Sequence, residues 1–169
     1  MRANKKTYLY HYWIIVLFLV LALVLPRLIE LFISSKLHEN TIIFIEFALI
    51  CPAILAMILF VQYYSLSKNL KVKYFDNKVF ICSGETKKSF EISDVQQLRI
   101  KYSIPVYFKG FRYFPTDSFM YALIYLRSGE RFLITSFLDL ELLDTIRFFE
   151  GKVNVVKKPT LMCWPPKQN

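Results

Sequence analysis

Two apolar runs, residues 13–33 and 41–64, stand back to back near the start of the chain, joined by a short and largely polar connection. A helix rises 1.5 Å per residue, so about 20 apolar residues cross the ~30 Å hydrocarbon core of a bilayer. Each run supplies that length, and the sequence predicts two transmembrane helices over about 10–33 and 41–64. The short connection makes them an antiparallel hairpin with residues 1 and 65 on the same side. Arg2, Lys5 and Lys6 precede the first span and Lys68, Lys71 and Lys73 follow the second, while Lys36 in the turn is offset by Glu39. The positive-inside rule then predicts that both termini are cytoplasmic.

A cleaved leader also starts with positive charge and an apolar stretch. Here apolar character continues past residue 25 as Pro-Arg-Leu-Ile-Glu-Leu-Phe-Ile with no small-x-small step, so an uncleaved anchor is expected. Tyr8, Tyr10, Tyr12 and Trp13 at the inner end of one span, with Tyr63 and Tyr64 at that of the other, have the composition of an interfacial aromatic belt. Arg27 and Glu46 fall inside the runs at matching depths, and charge in lipid is costly unless paired. An Arg27–Glu46 ion pair, or snorkelling of these side chains to the outer interface, is therefore expected, with Glu30 as a competing partner on the next turn from Arg27. The alternative role for Glu46 is a proton or cation site.

The formal net charge is +9, and residues 65–169 hold 17 Lys or Arg against 10 Asp or Glu, so most of the excess lies outside the hairpin. A basic unit beside an anionic inner leaflet is electrostatically at home, which makes membrane lipids an expected partner, the alternative being that the charge serves only solubility. Nucleic acid suits such a balance too, but no long basic run or nucleic-acid motif supports it, and none is expected. Cys51, Cys82 and Cys163 form no CxxC pair, and His11 and His38 lie outside the C-terminal part, so no metal site or histidine-based triad is expected there. Gly84, Gly110, Gly129 and Gly151 are isolated turn glycines and build no phosphate loop. The expectation is a non-enzymatic protein without a cofactor.

From residue 66 the pattern changes to short strands. Residues 71–75 and 78–82 flank the turn dipeptide Asp76-Asn77, residues 87–92 form a third strand, and 95–102 alternate Leu98, Ile100 and Tyr102 with Arg99 and Lys101. Residues 120–127 and 131–137 make a hairpin around Ser128-Gly129-Glu130, and the first of these is apolar on both faces, as a central strand is. Leu138, Leu142, Leu143, Ile146 and Phe149 recur at helical spacing behind a Ser136/Asp139 capping pair, with Gly151 as the stop. These marks predict a hairpin over 1–65, a mainly-β unit of six to seven antiparallel strands capped by a C-terminal helix over 66–152, and a C-terminal tail over 153–169 that is irregular from residue 157.

The stretches VKYFDNKVFICSGETKKSFEISDVQQLRI and YALIYLRSGERFLITSFLDLELLDTI, in that order behind a two-helix hairpin, resemble the bacterial pleckstrin-homology-like domains. The resemblance covers roughly residues 66–150. It implies a seven-strand barrel-like sandwich closed by a helix, acting as a scaffold for protein or lipid contacts at a bacterial inner membrane. Phosphoinositide-binding relatives cluster Lys and Arg around the first hairpin loop; here that loop is Asp76-Asn77-Lys78, which departs from the pattern.

Residues 101–114, KYSIPVYFKGFRYF, interleave cations with aromatic rings, and Lys101, Lys109, Phe111 and Arg112 are candidate contacts to the membrane surface. The same stretch also reads as a core strand followed by a packed loop. The expected function is an interaction or self-assembly platform with a protein partner or a second copy of the chain. The alternatives are an immunity or accessory subunit of one membrane partner, and an ion-coupled or catalytic protein using Glu46.

Overall fold

The computed structural model describes residues 5–33, 37–108, 110 and 114–166. Helix α1 spans Lys5–Ile33 and α2 spans Glu39–Ser67, and both are long and apolar enough to cross a membrane. At 29 residues each is about 43 Å long, so roughly two turns remain beyond a bilayer's hydrocarbon core for other contacts. Along α1 the buried positions are His11, Ile15, Ala22 and Pro26; along α2 they are Ala53, Ala56, Leu59, Tyr63 and Ser67. Such spacing keeps one stripe of each helix facing a partner, and the alanines let the two backbones approach closely.

Seven strands follow: β1 Leu70–Phe75, β2 Lys78–Ser83, β3 Thr86–Glu91, β4 Val95–Ser103, β5 Tyr121–Leu126, β6 Arg131–Thr135 and β7 Asn154–Thr160. They form two sheets, β1-β2-β3 and β6-β5-β4-β7. The turns are where the sequence puts them, with Asp76 at φ 49° between β1 and β2 and Gly129 at φ 87° between β5 and β6. Val72, Val79, Ile81 and Phe90 of the first sheet share one core with Leu98, Ile100, Ala122, Ile124 and Ile134 of the second. Strand β5 is central and almost wholly buried, as its two apolar faces predict.

Two expectations need correction. The helix expected from residue 138 begins only at Leu143: α4 spans Leu143–Phe149, because Glu141 (φ 59°) and Leu142 (φ 56°) are left-handed and break the run. Asp139 still caps it, from further back, by accepting the backbone N–H groups of Asp144 (3.3 Å) and Thr145 (2.7 Å). Leu143 is consequently exposed rather than core. The second correction concerns residues 153–169. Instead of an irregular tail, Asn154–Thr160 add β7 beside β4, and this pair is parallel, so the domain is not wholly antiparallel. Val155 and Val156 supply the strand's apolar content, and Pro159 is tolerated because β7 is an edge.

The Tyr74 hydroxyl meets Thr145 Oγ1 at 2.9 Å and its ring stacks on Phe148 at 4.6 Å, fixing α4 to β1. Between the edges of β3 and β6 the sheets are joined by side chains: Phe90 stacks on Phe132 (5.2 Å) and Lys88 pairs with Glu130 (2.8 Å). A cleft of about 310 Å³ opens there, lined by Leu70, Ile81, Leu123 and Leu133 with Lys88 and Arg131 among its polar groups.

Candidate functional site

Where the hairpin meets the sheets, aromatic contacts and polar bonds converge among the described residues. Phe137, fully buried, has ring contacts with Tyr8 (5.1 Å) and His11 (4.7 Å) of α1, with Phe60 (5.2 Å) and Tyr63 (5.8 Å) of α2, and with Phe119 (6.0 Å). Phe119 in turn stacks on His11 at 4.9 Å and meets Tyr63 edge-on at 5.1 Å. Edge-to-face and offset pairs of this kind add about 0.5–1.5 kcal/mol each beyond the area they bury. Two helices and two turns of the domain thus share one aromatic core.

Polar bonds fix the register of that core. The Ser118 hydroxyl donates to the Pro115 carbonyl (3.0 Å), which leaves its oxygen to accept from His11 Nδ1 at 2.9 Å. Tyr63 donates its hydroxyl to the Cys163 carbonyl at 2.7 Å, and Ser67 bonds Thr135 side chain to side chain. The turn Pro115–Ser118 that receives His11 is itself braced: Asp117 accepts the Phe114 N–H (3.0 Å), and Ser103 of β4 donates to the Asp117 carbonyl (2.8 Å). From sequence, His11 lies outside the C-terminal part and no contact with that part is assigned to it. The signal was available in the spacing of Tyr8, His11 and Ile15, which share one helical face.

The residues singled out from sequence fall in different places. Arg27 Nη1 lies 3.2 Å from Glu30 Oε2 on the adjacent turn of the same helix. Lys101 is half-buried in mid-sheet, opposite Tyr121 of β5 and Lys158 of β7. Lys109, Phe111 and Arg112 lie outside the described residues. Arg99, two residues before Lys101, lies over the Tyr125 ring at 5.0 Å and donates to Gln97 Oε1 at 3.2 Å. Burial pushes the Cys163 thiol up to about 12, against the pull of Lys101. Burial also raises Tyr102 to about 12 and lifts Tyr121 and Asp139 above their ordinary values. Among the described residues no group of three or more His, Cys, Asp or Glu could hold a metal ion.

The family model described as PH domain matches residues 1–145, from α1 through β6 into α4. The chain belongs to the PH-domain family. The match takes in the hairpin as well as the sandwich, while β7 and the segment after it lie beyond its end. No curated protein and no solved structure matches the chain. For a PH domain the aromatic junction is a mounting: it sets which surface of the sandwich faces away from the helices and which faces toward them.

Proposed function

We propose that the α1–α2 hairpin crosses the bacterial inner membrane with both termini in the cytoplasm, and that the PH domain it carries is a non-enzymatic interaction platform for another membrane protein or a second copy of this chain. The observation that carries this reading is the shared core around Phe137, which gives the domain a fixed attitude to the helices instead of a flexible tether. A fixed attitude serves a scaffold, because the surface offered to a partner is then offered at one height and angle. The cleft between the β3 and β6 edges, with an apolar floor and Lys88 and Arg131 among its polar groups, is the partner surface in this reading. Lys109, Phe111 and Arg112 are its contacts to the anionic leaflet.

The test is copurification of the full chain from mild detergent, with crosslinking and mass spectrometry of what accompanies it. The reading expects one stoichiometric companion, or a second copy, whose recovery falls at least tenfold in a Lys88→Glu, Arg131→Glu double variant. A chain recovered alone and monomeric, or a companion indifferent to the variant, contradicts the assignment of that cleft.

A further inference from the structure

The end of the PH domain nearest the hairpin leaves large apolar side chains uncovered. Ile104, Tyr107 and Phe108 on α3 (Ile104–Tyr107) and just after it, Phe114 before the Pro115–Ser118 turn, and Leu161 and Trp164 after β7 are all exposed, Phe108 at 70% and Leu161 at 82%. They belong to one rim. Strands β4 and β7 run parallel and their last paired residues are Ser103 and Thr160, so 104–108 and 161–164 leave the sheet side by side. The Ser103 bond to Asp117 ties this end to the turn that receives His11 from α1. Cys163, between Leu161 and Trp164, has its carbonyl bonded to Tyr63 of α2. Residues flanking an atom bonded to that helix lie beside it.

Six exposed apolar side chains gathered at one end of the domain are the kind of feature that marks an interaction surface. What covers it is set by its neighbour. Tyr63 and His11 sit about one to two turns inside the domain-proximal ends of α2 and α1, the level at which an apolar helix of this length leaves the hydrocarbon. We infer that this rim is a lipid-interface anchor: Trp164, Leu161 and Phe108, with Tyr107 and Phe114 beside them, seat at the boundary between headgroups and acyl chains next to the hairpin. Tryptophan and tyrosine favour that boundary because an apolar ring body and a polar tip are both satisfied there. The occupant is lipid and not a protein, and the inference rests on the proposed membrane-spanning hairpin. Its effect is to hold the domain down at a further point, so that tilt as well as rotation about the helices is fixed.

The chain has two tryptophans, Trp13 on the exposed side of α1 and Trp164 on the rim, which separates the two readings cleanly. The full chain is reconstituted in vesicles of phosphatidylethanolamine and phosphatidylglycerol with brominated acyl chains. Trp13→Phe leaves Trp164 as the only emitter, and Trp164→Phe leaves Trp13. The inference expects Trp164 emission to be blue-shifted and quenched, more by bromine near the glycerol end of the chain than by bromine near its tip, with Trp13 quenched as well. Trp13 quenched by lipid while Trp164 responds only to aqueous iodide overturns the rim anchor and leaves the hairpin reading intact. Trp164 shielded from both quenchers overturns it in favour of a protein cover. Neither tryptophan quenched by lipid overturns the spanning hairpin and the anchor together.

Discussion

Phe137→Ala removes the ring at the centre of the junction. Truncating a buried phenylalanine costs about 3–5 kcal/mol, and the contacts with Tyr8, His11, Phe60, Tyr63 and Phe119 place this site at the upper part of that range. Each 1.4 kcal/mol is about a factor of ten, so the balance between docked and undocked domain should move by roughly several hundred- to a few thousand-fold. Phe137 belongs to the same continuous core as Val72 to Ile134, but its ring contacts are to the hairpin and to Phe119 and none is to β2 or β3, so those strands should survive the change. Hydrogen exchange of the full chain in lipid nanodiscs reads both quantities. Amides of 115–120 and the domain-proximal turn of α2 should lose protection by about a hundredfold or more, while β2 and β3 keep theirs. Phe137→Leu, which retains most of the volume, should lose much less. Unchanged exchange at the junction in Phe137→Ala, or equal loss in β2 and β3, would refute a separable aromatic mounting.

Three further outcomes follow from named contacts. Tyr63→Phe leaves the Cys163 carbonyl without its donor, at a cost of about 1–3 kcal/mol, and should raise the alkylation rate of Cys163 in the folded protein. In the unaltered protein that thiol, buried and pushed up to about 12, should react far more slowly at neutral pH than half-buried Cys82, as mass spectrometry after a short maleimide pulse would show. Asp139 has a carboxyl raised above 3.8 mainly by burial, so the folded state holds its proton more tightly than the unfolded chain does. Its contribution to stability therefore falls as pH rises from about 3.8 through the folded value, and Asp139→Asn should flatten that limb in thermal melts across mildly acidic pH.

The hairpin and the first six strands were legible because each is a local pattern: uninterrupted apolar length for α1 and α2, period-two alternation and turn residues for β1 to β6. What escaped the sequence is non-local. The partners His11 and Ser118 are 107 residues apart, and Tyr63 and Cys163 are 100 apart, so no window of periodicity contains both members. Phe137 reads as the last residue of a strand, yet β6 stops at Thr135 and the ring turns into the hairpin. Strand β7 was hidden because Lys157, Lys158 and Pro159 dilute its two valines; only its pairing to β4 makes it a strand. The late start of α4 has a similar origin, since apolar spacing over 138–149 is helical while two left-handed residues inside it are not. The Arg27–Glu30 contact, by contrast, is local and legible in the i,i+3 spacing.

The central claim is that the hairpin spans the membrane with the PH domain mounted on its cytoplasmic side, and impermeant labelling tests it most directly. In a background with Cys51, Cys82 and Cys163 replaced by serine, one variant carries Ser35→Cys in the connection between the helices and another carries Ser83→Cys at the end of β2. A membrane-impermeant maleimide added to intact cells should label the first readily and the second only after lysis. Ready labelling of the Ser83→Cys variant in intact cells, or protection of both until lysis, would contradict the account.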